Sequence, residues 1–256
     1  MLESLLRDAA IVIGFFHVVG PVAVRSTFRF ATRCKPTPLS LEELPGAVSS
    51  RILPRVPEMQ ALGFETVGYY DCGEMARHTR SYVAYFVNRK CNDFASVSVA
   101  MSPNKVASYL EFSTRLSNGF VLDTNTNSIL PLTPANSEGR VFRFPKIEQP
   151  KTLYEVHHQL LAKYAGGFEA QGEPKGREIE RLVRIVENYG VRHSRIGYMY
   201  LDPQTNCYRL TWKGAVLMTW RALWPTKFFR SALHTQNMRN ELRSLQIAGA
   251  TALQKA

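Results

Sequence analysis

The segment Asp71 to His78, "DCGEMARH", gathers carboxylates, a thiol and an imidazole within eight residues. That is the raw material of thiol catalysis, in which a histidine takes the proton of a cysteine and the thiolate attacks. A nucleophile and its base must touch in space, and proximity along the chain does not bring that about. The segment lies between two expected strands, and Asp-Cys-Gly is a natural turn, so a turn is its expected role. Metal binding needs ligands at recognisable spacing, such as paired C-x-x-C or histidines at i and i+4. Cys72, His78 and Cys91 have no such spacing. His157 and His158 are neighbours on an expected helix, about 100° apart, so they cannot share one metal from a single face. His158 is expected to face solvent and His157 to border the apolar stripe. Asp123 and the asparagines of "LDTNTN" offer oxygen donors to a cation, but an exposed turn uses the same residues. Phosphate-loop, dinucleotide, serine-hydrolase, zincin and EF-hand patterns are absent. The expectation is no catalytic residue, no metal ligand and no cofactor.

The elements that must position these residues belong to a chain of 256 residues, 45% hydrophobic and 21% charged, enough for one large domain or two small ones. Its four cysteines (Cys34, Cys72, Cys91, Cys207) are scattered, which points to reduced thiols rather than a disulfide framework. The net charge of +11 is localised. Arg25, Arg29, Arg33 and Lys35 cluster without an acid, and from Gln204 onward eight basic residues face only Glu241. These two segments account for the whole surplus and imply basic faces for anionic lipid, nucleic acid or an acidic protein.

The stretch "YRLTWKGAVLMTWRALWPTKFFR" holds all three tryptophans, Trp212, Trp220 and Trp224, among Lys213, Arg221, Lys227 and Arg230. Indole rings beside cations are the composition of a membrane interface. Trp212, Trp220, Trp224, Arg221, Lys227 and Arg230 are therefore the expected interface residues, with Arg25, Arg29, Arg33 and Lys35 as a juxtamembrane basic group. Packing of Val216, Leu217, Trp220 and Leu223 into a core is the competing role. Over Tyr208–Gly214 the chain also resembles the wing-to-helix corner of winged-helix DNA-binding proteins. The resemblance stops there, because "REIERLVRIVENYG", standing before it, is a single amphipathic helix of mixed charge.

The uncharged run "AAIVIGFFHVVGPVAV" (Ala9 to Val24) decides where the chain should sit. Sixteen helical residues span about 24 Å, short of the roughly 30 Å hydrocarbon core, although Leu5 and Leu6 can extend the run. Its apolar side chains lie all around the helix, and no cleavage site follows. The cations come after it, so the positive-inside rule puts the N-terminus outside and the body in the cytoplasm. The expectation is a single uncleaved membrane anchor; a helix packed on the body is the alternative.

"YVAYFV", "FASVSVA", "YLEFSTRL", the run after Asn118-Gly119 and "RVFRF" read as short strands. "KTLYEVHHQLLAKYAGG" reads as a helix with a Thr152/Glu155 capping box. A second helix, a hairpin turning at Asp202–Asn206, a Thr211-capped helix and a basic helix over residues 231–247 follow. The expected fold is therefore α+β: an N-terminal anchor helix, an antiparallel sheet of about five strands with a packed helix, then a helix–hairpin–helix–helix segment. The expected divisions are 1–24 (anchor), 25–40 (basic linker), 41–166 (sheet domain) and 167–256. The expected function is a non-enzymatic interaction or scaffold module on a lipid bilayer. Nucleic-acid binding by the basic C-terminal region and an enzyme of unrecognised type stand behind it.

Overall fold

A computed structural model describes residues 2–76, 78–135 and 138–245. In chain order its elements are α1 (Leu2–Thr27), β1 (Phe30–Ala31), β2 (Thr37–Leu39), α2 (Gly46–Ile52), α3 (Arg55–Ala61), β3 (Glu65–Ala76), β4 (Thr79–Asn88), β5 (Asp93–Ser102), β6 (Lys105–Arg115), β7 (Val121–Asn125), β8 (Gly139–Arg143), α4 (Pro150–Tyr164), α5 (Glu178–Arg195), β9 (Met199–Asp202), β10 (Cys207–Leu210), α6 (Trp212–Ala222) and α7 (Thr226–Ser244). They form two compact units whose segments interleave along the chain. The smaller comprises residues 2–33, 130–135 and 185–235; the larger comprises 34–76, 78–129, 138–184 and 236–245.

In the larger unit the strands run β8-β7-β6-β5-β4-β3, with β2 also paired to β3. All neighbours are antiparallel except β7 and β8, which are parallel. The register aligns Phe86, Ala95, Phe112, Thr124 and Phe142 in one cross-strand row. Because side chains alternate between faces, that row shares its face with Tyr82, Ala84, Val97, Val99, Leu110 and Leu122. Val48 and Ile52 of α2, Met59 of α3 and Leu153, Val156 and Leu160 of α4 close over it. The alternating runs of the sequence thus became strands β4 to β8. In this unit the sheet exceeds the expected five strands by two: β2, which lies in the expected linker, and β3, to which "DCGEMA" belongs rather than to a turn. Its pattern is masked by glycines and by register shifts between Thr66 and Gly68 and between Asp71 and Glu74. Helix α4 starts at Pro150 with Gln149 before it and no side-chain cap, so the Thr152 capping box does not form.

The smaller unit pairs β1 with β10 and β10 with β9. Its core is Tyr198, Met199, Tyr208, Leu210, Ala215 and Met218, joined by Val24, Phe28 and Phe30. Thr211 caps α6 as expected, its hydroxyl accepting from the Gly214 N–H at 3.0 Å. Gly214 is required by contact: a Cβ there would stand 2.0 Å from the Tyr198 carbonyl oxygen. Helix α6 ends at Ala222, short of Trp224, and the last helix begins at Thr226; residues 246–247, expected at its end, lie outside the described residues.

Helix α1 packs along α6. Gly20 admits Thr219, whose Cγ2 would be 2.6 Å from a Cβ there; the His17 and Trp220 rings lie 6.1 Å apart; and the Arg25 guanidinium sits 4.6 Å over the Trp212 ring. Among the described residues no helix is long and apolar enough to cross a membrane. This corrects the expected transmembrane anchor, with its outside N-terminus and cytoplasmic body, and with it the anchor-based fold class. Gly20 and the buried Pro21, which dilute the run's hydropathy, are where α1 meets protein.

Candidate functional site

The expected interface residues fall on the smaller unit, and the fold sorts them into two kinds. On α6, Trp212, Val216 and Trp220 are spaced by four residues and form one exposed stripe, followed by exposed Trp224. On α1, Phe15, Val18, Val19 and Val22 form a second exposed stripe, with Phe16 beside it. His17 meets Trp220 and Arg25 lies over Trp212 where the two helices touch, so the α1 side chains that meet α6 are other than those of its exposed stripe. Phe228, Phe229 and Leu233 of α7 are exposed as well, Phe229 to 65%. Scattered exposed apolar side chains are ordinary, but this many large ones on three helices are more than scatter and give each helix a face suited to contact. Of the residues in the competing core role, Leu217 packs against the core, whereas Val216 and Trp220 are exposed; Met218 and Thr219 turn inward.

The cations divide likewise. Arg29, Arg33, Lys213 and Lys227 are exposed, as is Lys35 of the larger unit, and Arg25 is half-buried over Trp212. Arg221 and Arg230 point into the smaller unit. Arg221 donates to the Leu132 carbonyl at 3.1 Å and Arg230 to the Pro131 carbonyl at 2.8 Å, fixing the 130–135 segment. Burial lowers the Arg230 pKa, as does the neighbouring Arg221 charge. These two arginines were indistinguishable in sequence from Lys227; only packing assigns them a structural role.

In the larger unit the histidines depart from expectation. His157 is fully buried between Thr114 Oγ1 at 2.9 Å and Thr124 Oγ1 at 3.0 Å. Thr114 gives its hydroxyl proton to Asp93, so it accepts from His157 Nε2–H, and Nδ1 accepts from Thr124. Burial pushes the His157 pKa down to about 3, which keeps this neutral tautomer. Asp93, 1% exposed, also accepts from the Tyr154 hydroxyl at 2.8 Å and pairs with His158 at 3.1 Å. Burial alone would raise the Asp93 pKa, yet the bonds from His158, Thr114 and Tyr154 hold it below the usual carboxylate value. His158 therefore faces a buried carboxylate as well as solvent.

Cys34 and Cys72 are buried together, and the Cys34 thiol, followed by burial, pushes the Cys72 pKa far up. Asp71 receives Arg80 Nε at 2.8 Å, and His78 occupies the following turn with φ of 57°. A thiol reagent at neutral pH is expected to modify exposed Cys91 first and to reach Cys34 and Cys72 only on unfolding. Peptide mass mapping of a labelling time course checks this, and fast native modification of Cys72 would contradict it.

The opposite face of the sheet carries residues that reading by local pattern passed over. Asp123 lies within β7, not in a turn, on the same face as Glu111 of β6. Asn125 donates to Glu111 at 2.9 Å, and Arg181 donates to Ser113 at 2.8 Å while lying 4.1 Å over the Phe94 ring. Burial, with the Asp123 charge second, pushes the Glu111 pKa up to about 8; burial raises Asp123 too. Neighbouring carboxylates so perturbed can hold and exchange a proton near neutral pH. The signal available in the sequence was two acids on an otherwise serine-, tyrosine- and phenylalanine-bearing strand face. No protein-family model, no curated protein and no solved structure matches this chain.

Proposed function

We propose that this protein is a non-enzymatic interaction module that lies with its smaller unit on an anionic lipid surface, without crossing it. The observation that carries the reading is the exposed apolar stripes on α1 and on α6, the latter bearing Trp212 and Trp220 with Arg25 and Lys213 beside Trp212. The described smaller unit has eleven basic against four acidic residues, so its field complements anionic headgroups. Indole rings suit the headgroup level, where one edge meets acyl chain and the other water. A covering protein would meet the same apolar stripes, but it gives no reason for this charge.

The test is sedimentation of the full chain with phosphatidylcholine vesicles, with and without phosphatidylserine. Binding is expected only with phosphatidylserine and should weaken with salt. Changing the exposed cations Arg29, Lys213 and Lys227 to Gln should weaken it by roughly a hundredfold, at about 1 kcal/mol per cation. Trp220→Ser should lower it by about tenfold or more. Arg221 and Arg230 are left intact because they hold the fold. Failure to bind either vesicle overturns the reading, whether the chain is then a dimer or binds duplex DNA with a steep salt dependence.

A further inference from the structure

We propose that Cys91, Asp93 and His158 form a binding site for a single divalent transition-metal ion of zinc type. The Cys91 sulfur, an Asp93 carboxylate oxygen and a His158 ring nitrogen all lie within 4.8 Å of one another. Ligand atoms about 2.0 to 2.3 Å from a tetrahedral metal stand roughly 3.3 to 3.8 Å apart. The site therefore needs an adjustment of about 1 Å or less, which an exposed cysteine on a hairpin turn can make. The His158 to Asp93 separation, 3.1 Å, is within a few tenths of an ångström of that range.

Three features of the fold build this arrangement. Asn92, between the two turn ligands, adopts φ of 58° and donates to the Ala170 carbonyl at 3.1 Å, which sets the reversal that brings Cys91 and Asp93 into one cluster. Asp93 is aimed from below by hydrogen bonds from Thr114 and Tyr154, and Thr114 is itself held by buried His157. The Tyr154 ring packs edge-on against His158 with centroids 4.4 Å apart, which orients the imidazole. Carboxylates and histidines supported in this way are the usual surroundings of a metal ligand set. The His157–His158 geometry that ruled out a shared metal holds; only His158 takes part.

The donor set chooses the ion. One thiolate, one imidazole and one carboxylate suit zinc or cobalt, whereas calcium and magnesium require oxygen ligands throughout. Three protein ligands, two of them with exposed side chains, leave a fourth position for water. On binding, the Cys91 thiol gives its proton to solvent, and the His158 imidazole ligates through one ring nitrogen as the neutral tautomer that carries its proton on the other.

Cobalt(II) titration of the full chain tests this. One equivalent is expected to produce tetrahedral visible bands and a near-ultraviolet thiolate-to-cobalt charge-transfer band. Cys91→Ser should abolish the charge-transfer band. His158→Ala, a change at a side chain 42% exposed and so compatible with the fold, should weaken binding by at least about tenfold. Zinc should displace cobalt and protect Cys91 from alkylation. Absence of the bands with one equivalent of cobalt, a charge-transfer band that survives Cys91→Ser, or unchanged affinity in His158→Ala overturns the proposal.

Discussion

Phe112→Ala is expected to lower the unfolding free energy by about 3–5 kcal/mol. Phe112 is fully buried at the centre of the sheet row, with ring centroids 4.9 Å from Tyr154 and 5.6 Å from Phe64. Truncation removes the transfer free energy of the ring and leaves a cavity that flanking strands cannot fill, since their backbone is held by the β5 and β7 ladders. The informative comparison is Phe228→Ala, the same substitution at a side chain 63% exposed. That change should alter stability by no more than about 0.5 kcal/mol. Urea denaturation of both variants measures the contrast. Equal losses would mean that the exposed ring on α7 is part of a core, and the contact surface would lose one of its members.

Glu111→Gln is expected to flatten the dependence of stability on pH. The Glu111 carboxyl has its pKa pushed up to about 8 in the fold, against about 4.3 in an unfolded chain. Between these values the folded protein binds more protons than the unfolded one, so stability falls as pH rises through that window. Below about pH 4.3 both states carry the proton, and the contribution is constant. In the wild type the loss from pH 5 to pH 8.5 should be on the order of 1–3 kcal/mol from this group, because it is only partly shielded from solvent. Glutamine keeps an acceptor for Asn125, carries no titrating proton, and removes the carboxylate repulsion from Asp123 that helps raise Glu111. Thermal melts at the two pH values should show a smaller drop for the variant. Parallel drops would remove the strain from Glu111 and place it elsewhere.

How much of this was readable in advance depended on the range of the interaction concerned. Strands β4 to β8 announced themselves because alternation is a local consequence of strand geometry, and Thr211 because a cap bonds three residues ahead. Strand β3 did not, because its glycines and acids mimic a turn and its ladder partners lie elsewhere in the chain. Arg221 and Lys227 look alike in composition, yet one is bound to the Leu132 carbonyl and the other is exposed. The Asp93 group was out of reach for the same reason: Thr114, Tyr154 and His158 converge on it from β6 and α4, at separations of up to 65 residues along the chain.

By itself, then, the amino-acid sequence determined periodicity, the helix cap, the separation of the cations into two segments and the apolar character of the first helix. Tertiary structure alone decided what covers that helix, which arginines turn inward, and which acids share a sheet face or face a thiol and an imidazole. The division has one cause. Backbone propensity and side-chain period act over a few residues, whereas burial and charge interaction depend on neighbours that only chain folding supplies.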